Sequence, residues 1–238
     1  MRIRVQLCTI PIALSMVMAS APAHAHLTWI EMGESVVGLA TGHHYPSKEL
    51  TVTGEYVSEI ACEWMQRTEK LKFDAQSIRF RTNTKPLNCA AQLKTTQIEL
   101  GENAALTHLR ETKAPSQFIE KVKNTKRFVE IYFKTAQFRP ITIGSSLYRE
   151  EIAQFVQTPN AKDDLRLYRN GKPIVGQPVG LDIPNSPITL WTHTDDLGRV
   201  QFPVKITSES LLHTLVIEDQ GEIFASQFVT LIASPAAR

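Results

Sequence analysis

The sequence predicts a mostly β protein with two sandwich-like domains, the C-terminal one immunoglobulin-like, and one helix in the first domain. Apolar and polar residues alternate in short segments such as Leu50–Val57, which is typical of half-buried strands. Turn residues such as Asn170-Gly171 separate the C-terminal segments at the spacing of a β-sandwich. Between Pro115 and Phe138 the apolar spacing becomes helical, which predicts the helix.

The first 25 residues have the three-part pattern of a secretory signal peptide. Met1–Arg4 is short and positive, Val5–Val17 is mostly apolar, and Ser20–Ala25 is rich in small residues. The apolar run is too short to span a membrane, and no later run reaches about 18 apolar residues. The sequence therefore predicts a soluble periplasmic protein, without a transmembrane segment in its mature chain.

Two cleavage positions fit the small-residue segment, and both create an N-terminal histidine. Cleavage after Ala25 makes His26 the first mature residue, whereas cleavage after Ala23 gives that place to His24. An N-terminal histidine has two nitrogens that can chelate one metal ion, its free amine and its ring Nδ1.

The predicted N-terminal domain covers residues 26–144. Its expected strands, with a turn at Gly33 between the first two, are Leu27–Glu31, Val36–Thr41, Leu50–Val57 and segments of the same style in Lys70–Arg81 and Ala91–Leu100. Phe118 and Val122 have helical spacing, and Ser116 is the expected N-cap. The segment Phe128–Phe133 fits this helix or a strand equally well.

The predicted C-terminal domain covers residues 145–238, after a joint within Gly144–Ala161. Hairpin turns are expected at Asn170-Gly171 and at Asp195–Gly198. The expected strands are Leu165–Tyr168, Pro178–Ile183, Ile188–Thr192, Val200–Val204, Leu212–Glu218 and Ile223–Leu231.

Charge and composition exclude several classes of protein. Hydrophobic residues make up 42% of the 238 residues, which excludes a disordered chain. Of 26 basic residues, Arg2 and Arg4 belong to the signal, and the 24 that remain equal the 24 acidic ones. A neutral mature chain without a basic run is a poor match for nucleic acid, whose binding depends on phosphate neutralisation.

Cysteine usage fits an exported protein. Cys8 lies in the signal peptide, so the mature chain retains Cys62 and Cys89. In an oxidising compartment this pair predicts one disulfide. Two buried thiols or two thiolate metal ligands are the alternatives.

The histidines are the strongest candidates for a metal site. His26 would supply its amine and ring, and His43 is the next expected ligand, with neighbouring His44 as its substitute. His193 is a weaker candidate. An amine and two imidazoles suit Cu(II) or Ni(II), and the sequence does not separate these from Co(II) or Zn(II). If the mature chain begins at His24, a histidine in third place, His26, allows square-planar binding of the same two ions.

Recognised catalytic motifs are absent from the sequence. It contains no Gly-x-Ser-x-Gly, phosphate-binding loop, His-Glu-x-x-His or Cys-x-x-Cys pattern. Asp195 and Asp196 precede Gly198 and are best explained by a side-chain-assisted turn. The sequence therefore favours a protein that is not an enzyme.

Three stretches together resemble the periplasmic proteins named for a nickel-uptake substrate-specific domain. These are Ala25-His-Leu-Thr-Trp-Ile30, Gly42-His-His-Tyr-Pro46, and the pair Leu167–Val179 and Thr194–Pro203. That family begins with His-Asp-x-Trp-Leu, continues with Gly-His-x-Phe-Pro, and ends in a carboxypeptidase-regulatory-like sandwich. Leu27 replaces the family's Asp, and Tyr45 replaces its Phe. The resemblance implies metal handling.

These observations favour an exported metal-binding protein that assists the uptake or trafficking of nickel, cobalt or copper. A metal transporter component in the inner membrane is the expected partner. A non-catalytic envelope interaction or carbohydrate-binding module is the first alternative. A copper oxygenase with a histidine brace is the second, and it would also need an axial Tyr or Phe and a flat substrate face.

Overall fold

The computed structural model describes residues 27–65, 67–124, 127–158, 161–221 and 223–234, and the protein is mostly β, as predicted. The predicted signal peptide, residues 1–25, and the candidate ligand His26 lie outside the described residues. No helix in the described ranges combines the length and the apolar character of a membrane span.

The first half of the chain contains strands followed by two α-helices and two further strands. The first strands are β1 Leu27–Met32, β2 Val36–Gly42, β3 Leu50–Thr51, β4 Val57–Trp64, β5 Arg67–Lys70, β6 Arg79–Arg81, β7 Asn88–Leu93 and β8 Thr96–Gly101. The α-helices and the strands after them are α1 Glu102–Glu111, α2 Ser116–Lys123, β9 Arg127–Phe138 and β10 Ile141–Thr142.

The second half is formed by strands. They are β11 Gln154–Thr158, β12 Ala161–Arg169, β13 Lys172–Pro173, β14 Pro178–Asp182, β15 Leu190–His193, β16 Ser210–Asp219 and β17 Ile223–Ala233.

One nine-stranded sheet forms the centre of the molecule, with the order β15-β14-β16-β17-β9-β7-β4-β5 and with β8 also paired to β9. A small sheet contains β1, β2, β3 and β6, and a third sheet has the order β10-β11-β12-β13. Strands β17 and β9 pair in parallel from Ile223–Val129 to Ile232–Phe138. The central sheet therefore crosses the expected boundary at residue 144, while the division into two domains and the immunoglobulin-like topology stay predictions.

Both faces of the central sheet are covered, and successive residues of its strands enter different cores. In β16, Leu211 belongs to the core beneath the small sheet, whereas Leu212 belongs to the core beneath β11 and β12. The helices cover another part of the sheet through a third core, in which Phe118 contacts Phe224 edge to face at 5.5 Å. Burial on both faces explains why apolar residues are adjacent in β16, as Leu211-Leu212 and Leu215–Ile217, and do not strictly alternate with polar ones.

The prediction of one continuous strand over Leu50–Val57 is wrong after Thr51. A short 3₁₀ turn, Gly54–Tyr56, interrupts it, and β4 begins only at Val57. A Cβ at Gly54 would lie 2.0 Å from the carbonyl oxygen of Asp74, so the chain approaches another backbone segment here too closely for a side chain. The interruption is a tertiary effect, which local alternation does not reveal.

The helix expected within Pro115–Phe138 is confirmed as α2, and the rest of that segment is strand β9. Ser116 is the first residue of α2 and not its N-cap, a position that Pro115 occupies. Helix α1, Glu102–Glu111, was not expected, although it buries Ala105 and Leu109, one turn apart.

Both turns predicted in the C-terminal half form, but only the first closes a hairpin between two strands. Asn170 and Gly171 have φ angles of 53° and 68°, as a two-residue hairpin between β12 and β13 requires. At the second turn the amide of Gly198 donates to the carbonyl of Asp195 at 2.8 Å. The strand expected at Val200–Val204 does not form; Pro203 within it lacks the amide that a ladder needs.

Strands β4 and β7 are also linked covalently. Cys62 and Cys89 are directly opposite each other in the ladder, their Cα atoms are 4.1 Å apart, and their Sγ atoms are bonded. This confirms the predicted disulfide.

Candidate functional site

A cavity of about 400 Å³ lies where the start of β1, the turn after β2, the end of α1 and strands β14 to β16 meet. It sits beside the small sheet, on the same face of the central sheet as the helices. The residues that matter for its chemistry are Leu27, His43, His44, Asp182, Trp191 and His213.

The turn after β2 carries His43 and His44 to the mouth of this cavity. Leu27, the first residue of β1, pairs with Gly42, so the turn lies directly beside the start of β1. A Cβ at Gly42 would lie 2.3 Å from the carbonyl oxygen of Ser47 and 3.2 Å from the Trp29 ring. Glycine is therefore required for the turn to close.

A carboxylate fixes the orientation of the His43 ring. The Nδ1 atom of His43 lies 2.6 Å from Oε1 of Glu49, and the same oxygen accepts the backbone amide of His43 at 3.1 Å. The side chains of both residues are about half exposed. With Nδ1 engaged by Glu49, Nε2 is the ring atom through which His43 would bind a metal ion.

A second histidine–carboxylate pair lies deeper in the cavity. The Nε2 atom of His213 is 3.5 Å from Oδ1 of Asp182, and the imidazole meets the Trp191 ring edge to face at 5.2 Å. A Cβ on Gly180, which pairs with His213, would lie 2.5 Å from Cε1 and Nε2 of that ring. Glycine in the middle of β14 thus makes room for the imidazole.

Asp182 connects this pair to the histidine turn. Its Oδ1 accepts the hydroxyl of Thr189 at 2.7 Å, and its Oδ2 accepts the backbone amide of Tyr45 at 3.4 Å. Burial raises the pKa of Asp182. The contact with His213 and the hydrogen bonds from Thr189 and Tyr45 together lower this pKa by more than burial raises it, so the net pKa lies below its ordinary value. The carboxylate is the form that this environment stabilises.

His193 does not line the same cavity. It is exposed at the end of β15 and lines a neighbouring cavity of about 600 Å³ together with Arg110. Lys113 and Trp191 line both cavities. His193 is therefore close to the candidate site but separated from His43 and His213.

Sequence reasoning identified His43 and His44 but missed His213 and Asp182. His213 lies in the expected strand Leu212–Glu218, a context that favours a structural role, and the structure shows that its side chain lines the cavity. The signal that could have identified it is Gly180, since a glycine inside a strand often marks the close approach of another group.

The described residues contain no cluster of three or more His, Cys, Asp or Glu side chains arranged to hold a metal ion. His26 lies outside those residues, so the predicted pairing of His26 with His43 stays a prediction. No protein-family model matches the chain, and no curated protein or solved structure matches it either. The family resemblance also stays a prediction.

Proposed function

We propose that the mature protein is exported to the periplasm and binds a divalent transition-metal ion there through its N-terminal histidine and His43. One observation carries this proposal: Leu27 lines the same cavity as His43. Leu27 also pairs with Gly42, which directly precedes His43 in the sequence. In a chain cleaved after Ala25, the residue bonded to Leu27 is the N-terminus itself.

Chain connectivity keeps the N-terminal chelate close to this cavity. The Cα atom of residue 26 is about 3.8 Å from that of Leu27. The free amine and Nδ1 of His26 then supply two nitrogens, and Nε2 of His43 supplies a third. The Glu49 contact at Nδ1 of His43 supports the proposal, because a ligating histidine almost always donates its second ring nitrogen to an acceptor such as a carboxylate, a backbone carbonyl or water.

The biological role that fits such a site is delivery of the metal ion, with a transporter component in the inner membrane as the receiving partner. The exposure of His43 leaves the site open for transfer of the ion. This role depends on the site, so the site is tested first.

The test compares two forms of the protein that differ only at the N-terminus. One is matured through its own signal, and the other begins with a methionine before His26. Calorimetric titration with Cu(II), Ni(II), Co(II) and Zn(II) is expected to show binding by the matured form that is at least tenfold tighter. The extended form retains the same ring, but its amine is displaced by one residue.

Two substitutions complete the test. His26→Ala and His43→Ala are each expected to weaken binding at least tenfold in the matured form, whereas His193→Ala leaves it unchanged. Equal affinity of the matured and extended forms, or no binding tighter than about 0.1 mM, contradicts the proposal.

A further inference from the structure

We propose that the neighbouring cavity of about 600 Å³ is a separate binding site for a small organic carboxylate with an apolar body. Arg110 and Lys113, at the end of α1, bind the carboxylate group, and Trp191 contacts the apolar body. This inference goes beyond the proposed function, because it uses neither the N-terminal histidine nor a metal ion.

The described residues that line this cavity combine an apolar surface with basic groups. Its basic side chains are Arg110, Lys113 and His193, and its apolar ones include Ile119, Pro178 and Trp191. A cavity of this size that is mostly apolar and has a few polar groups is typical of small-molecule sites. Because Asp, Glu, Asn, Gln, Ser and Thr are absent from this described lining, the hydroxyls of a sugar would find few acceptors there. An anion would find several donors.

The two basic side chains at the end of α1 are available to a ligand. Among the described residues, neither Arg110 nor Lys113 has an ion pair or a side-chain hydrogen bond, whereas Lys123 of α2 pairs with Glu120. The amide of Lys113 donates to the carbonyl of Arg110 at 3.1 Å, so both side chains leave the same turn of the chain. Two adjacent cations suit the two oxygens of one carboxylate, through charge-assisted hydrogen bonds.

Lys113 occupies a backbone position at which glycine is usual. Helix α1 ends in a Schellman motif, in which the amide of Ala114 donates to the carbonyl of Leu109 at 2.8 Å. Lys113 is the residue just past the cap, with a φ angle of 54°. A lysine in this left-handed conformation is strained relative to glycine, and such strain is concentrated at functional sites. A role for the lysine amine in the cavity accounts for the strain.

The charges around the two cavities determine where the carboxylate group of the ligand lies. Lys113 and Trp191 line both cavities, but the cavity beside His43 also contains the carboxylates of Glu111 and Asp182. These would repel an anion, so the carboxylate group of the ligand belongs in the larger cavity. Its aromatic or aliphatic body then lies against Trp191.

The experiment titrates metal-free protein with 3-phenylpropionate by calorimetry, with the neutral 3-phenylpropanamide as the matched ligand. The carboxylate is expected to bind with a Kd below about 1 mM and about tenfold more tightly than the amide. The protein used begins with a methionine before His26, so it lacks the N-terminal chelate. A failure here is therefore distinct from a failure of the proposed metal site.

Two substitutions test the residues that bind the carboxylate. Lys113→Gly is expected to lower the affinity for 3-phenylpropionate about tenfold, while the free energy of unfolding stays the same or rises, because glycine accepts the φ angle without strain. Arg110→Gln is expected to lower the affinity by a similar factor. Lys123→Gln removes the same charge outside the cavity and is the matched control, which should leave the affinity unchanged.

Three outcomes would overturn the inference. The first is no binding of 3-phenylpropionate by the folded wild-type protein, or equal affinity for its amide. The second is unchanged affinity in both Lys113→Gly and Arg110→Gln, which would mean that these cations only stabilise the C-terminal end of α1 through its dipole. The third is binding of glucuronate as tight as that of 3-phenylpropionate, which would contradict the apolar body.

Discussion

The Nε2 atom of His108 in α1 lies 3.5 Å from Oε2 of Glu130 in β9, and both residues are almost completely buried. The hydroxyl of Ser226 donates to the other carboxylate oxygen, and the ring of Phe228 meets the imidazole at 5.8 Å. This polar pair attaches the helix layer to the central sheet inside an otherwise apolar interface.

We expect His108→Ala to reduce the free energy of unfolding by about 3 kcal/mol, because it removes a buried ring that packs against Phe228 and leaves Oε2 of Glu130 without its neighbouring imidazole. Denaturant unfolding followed by circular dichroism measures the change. Glu120→Ala breaks the exposed Lys123–Glu120 pair and is the control, with an expected change below about 0.5 kcal/mol. Equal effects of the two substitutions would contradict the structural role of the buried pair.

The cross-strand disulfide is expected to contribute roughly 3 to 4 kcal/mol, because it closes a loop with a sequence separation of 27 residues in the unfolded chain. The paired substitution Cys62→Ala with Cys89→Ala should lower the unfolding midpoint and remove its sensitivity to reductant. Wild-type protein treated with reductant is the matched comparison. Alkylation of both cysteines before reduction, seen by intact mass, would show that the bond is absent from the purified protein.

The sequence predicted elements whose signals are local. Asn170-Gly171 encodes its hairpin through two residues that tolerate positive φ, and Phe118 with Val122 encodes α2 by spacing. The parallel pairing of β9 with β17 has no local signal, because its partners are about 90 residues apart and only the complete sheet brings them together. The continuous central sheet was missed for that reason.

The candidate site, like the fold, could be predicted only where its signal is local in the sequence. His43 follows the glycine of a turn and could be identified as a candidate ligand from sequence, whereas His213 stands in a strand of mostly buried residues and resembles a core residue. Its access to the cavity depends on Gly180 in the neighbouring strand, a pairing that exists only in the fold.

Asp182 is expected to make the free energy of unfolding depend on pH in the acid range. Its pKa in the folded protein lies below its ordinary value of 3.8, so the folded state binds fewer protons than the unfolded one in this range. Its contribution is complete above that value and is lost as the pH falls through the lower folded pKa. The stability difference between wild type and Asp182→Asn should therefore be greater at pH 7 than below about pH 4.

Thr189→Val is the matched variant for this acid dependence, since it preserves shape and removes one hydrogen bond to Asp182. It should reduce the loss of stability in acid without abolishing it. Unfolding curves recorded across the acid range for the three proteins provide the measurement. Parallel pH profiles of wild type and Asp182→Asn would show that Asp182 is not the group responsible.

Lys134 is expected to destabilise the protein at neutral pH, in the opposite sense to Asp182. Burial in β9 lowers the pKa of its amine from 10.5 to about 8, while its Nζ lies 5.7 Å from the Phe228 ring centre. The energetic penalty of the buried charge is complete below pH 8 and is relieved as the pH rises towards 10.5, because the unfolded chain then binds more protons. Lys134→Met should therefore stabilise the protein by as much as about 3 kcal/mol at pH 7, less about 0.5–1 kcal/mol for the lost ring contact.

Denaturant unfolding at pH 7 and near pH 10 measures this gain in the free energy of unfolding, which should largely disappear at the higher pH. The exposed control Lys123→Met should change the free energy of unfolding little at either pH. A gain that is absent at pH 7, or equal at both pH values, would contradict the assignment of a buried charge to Lys134.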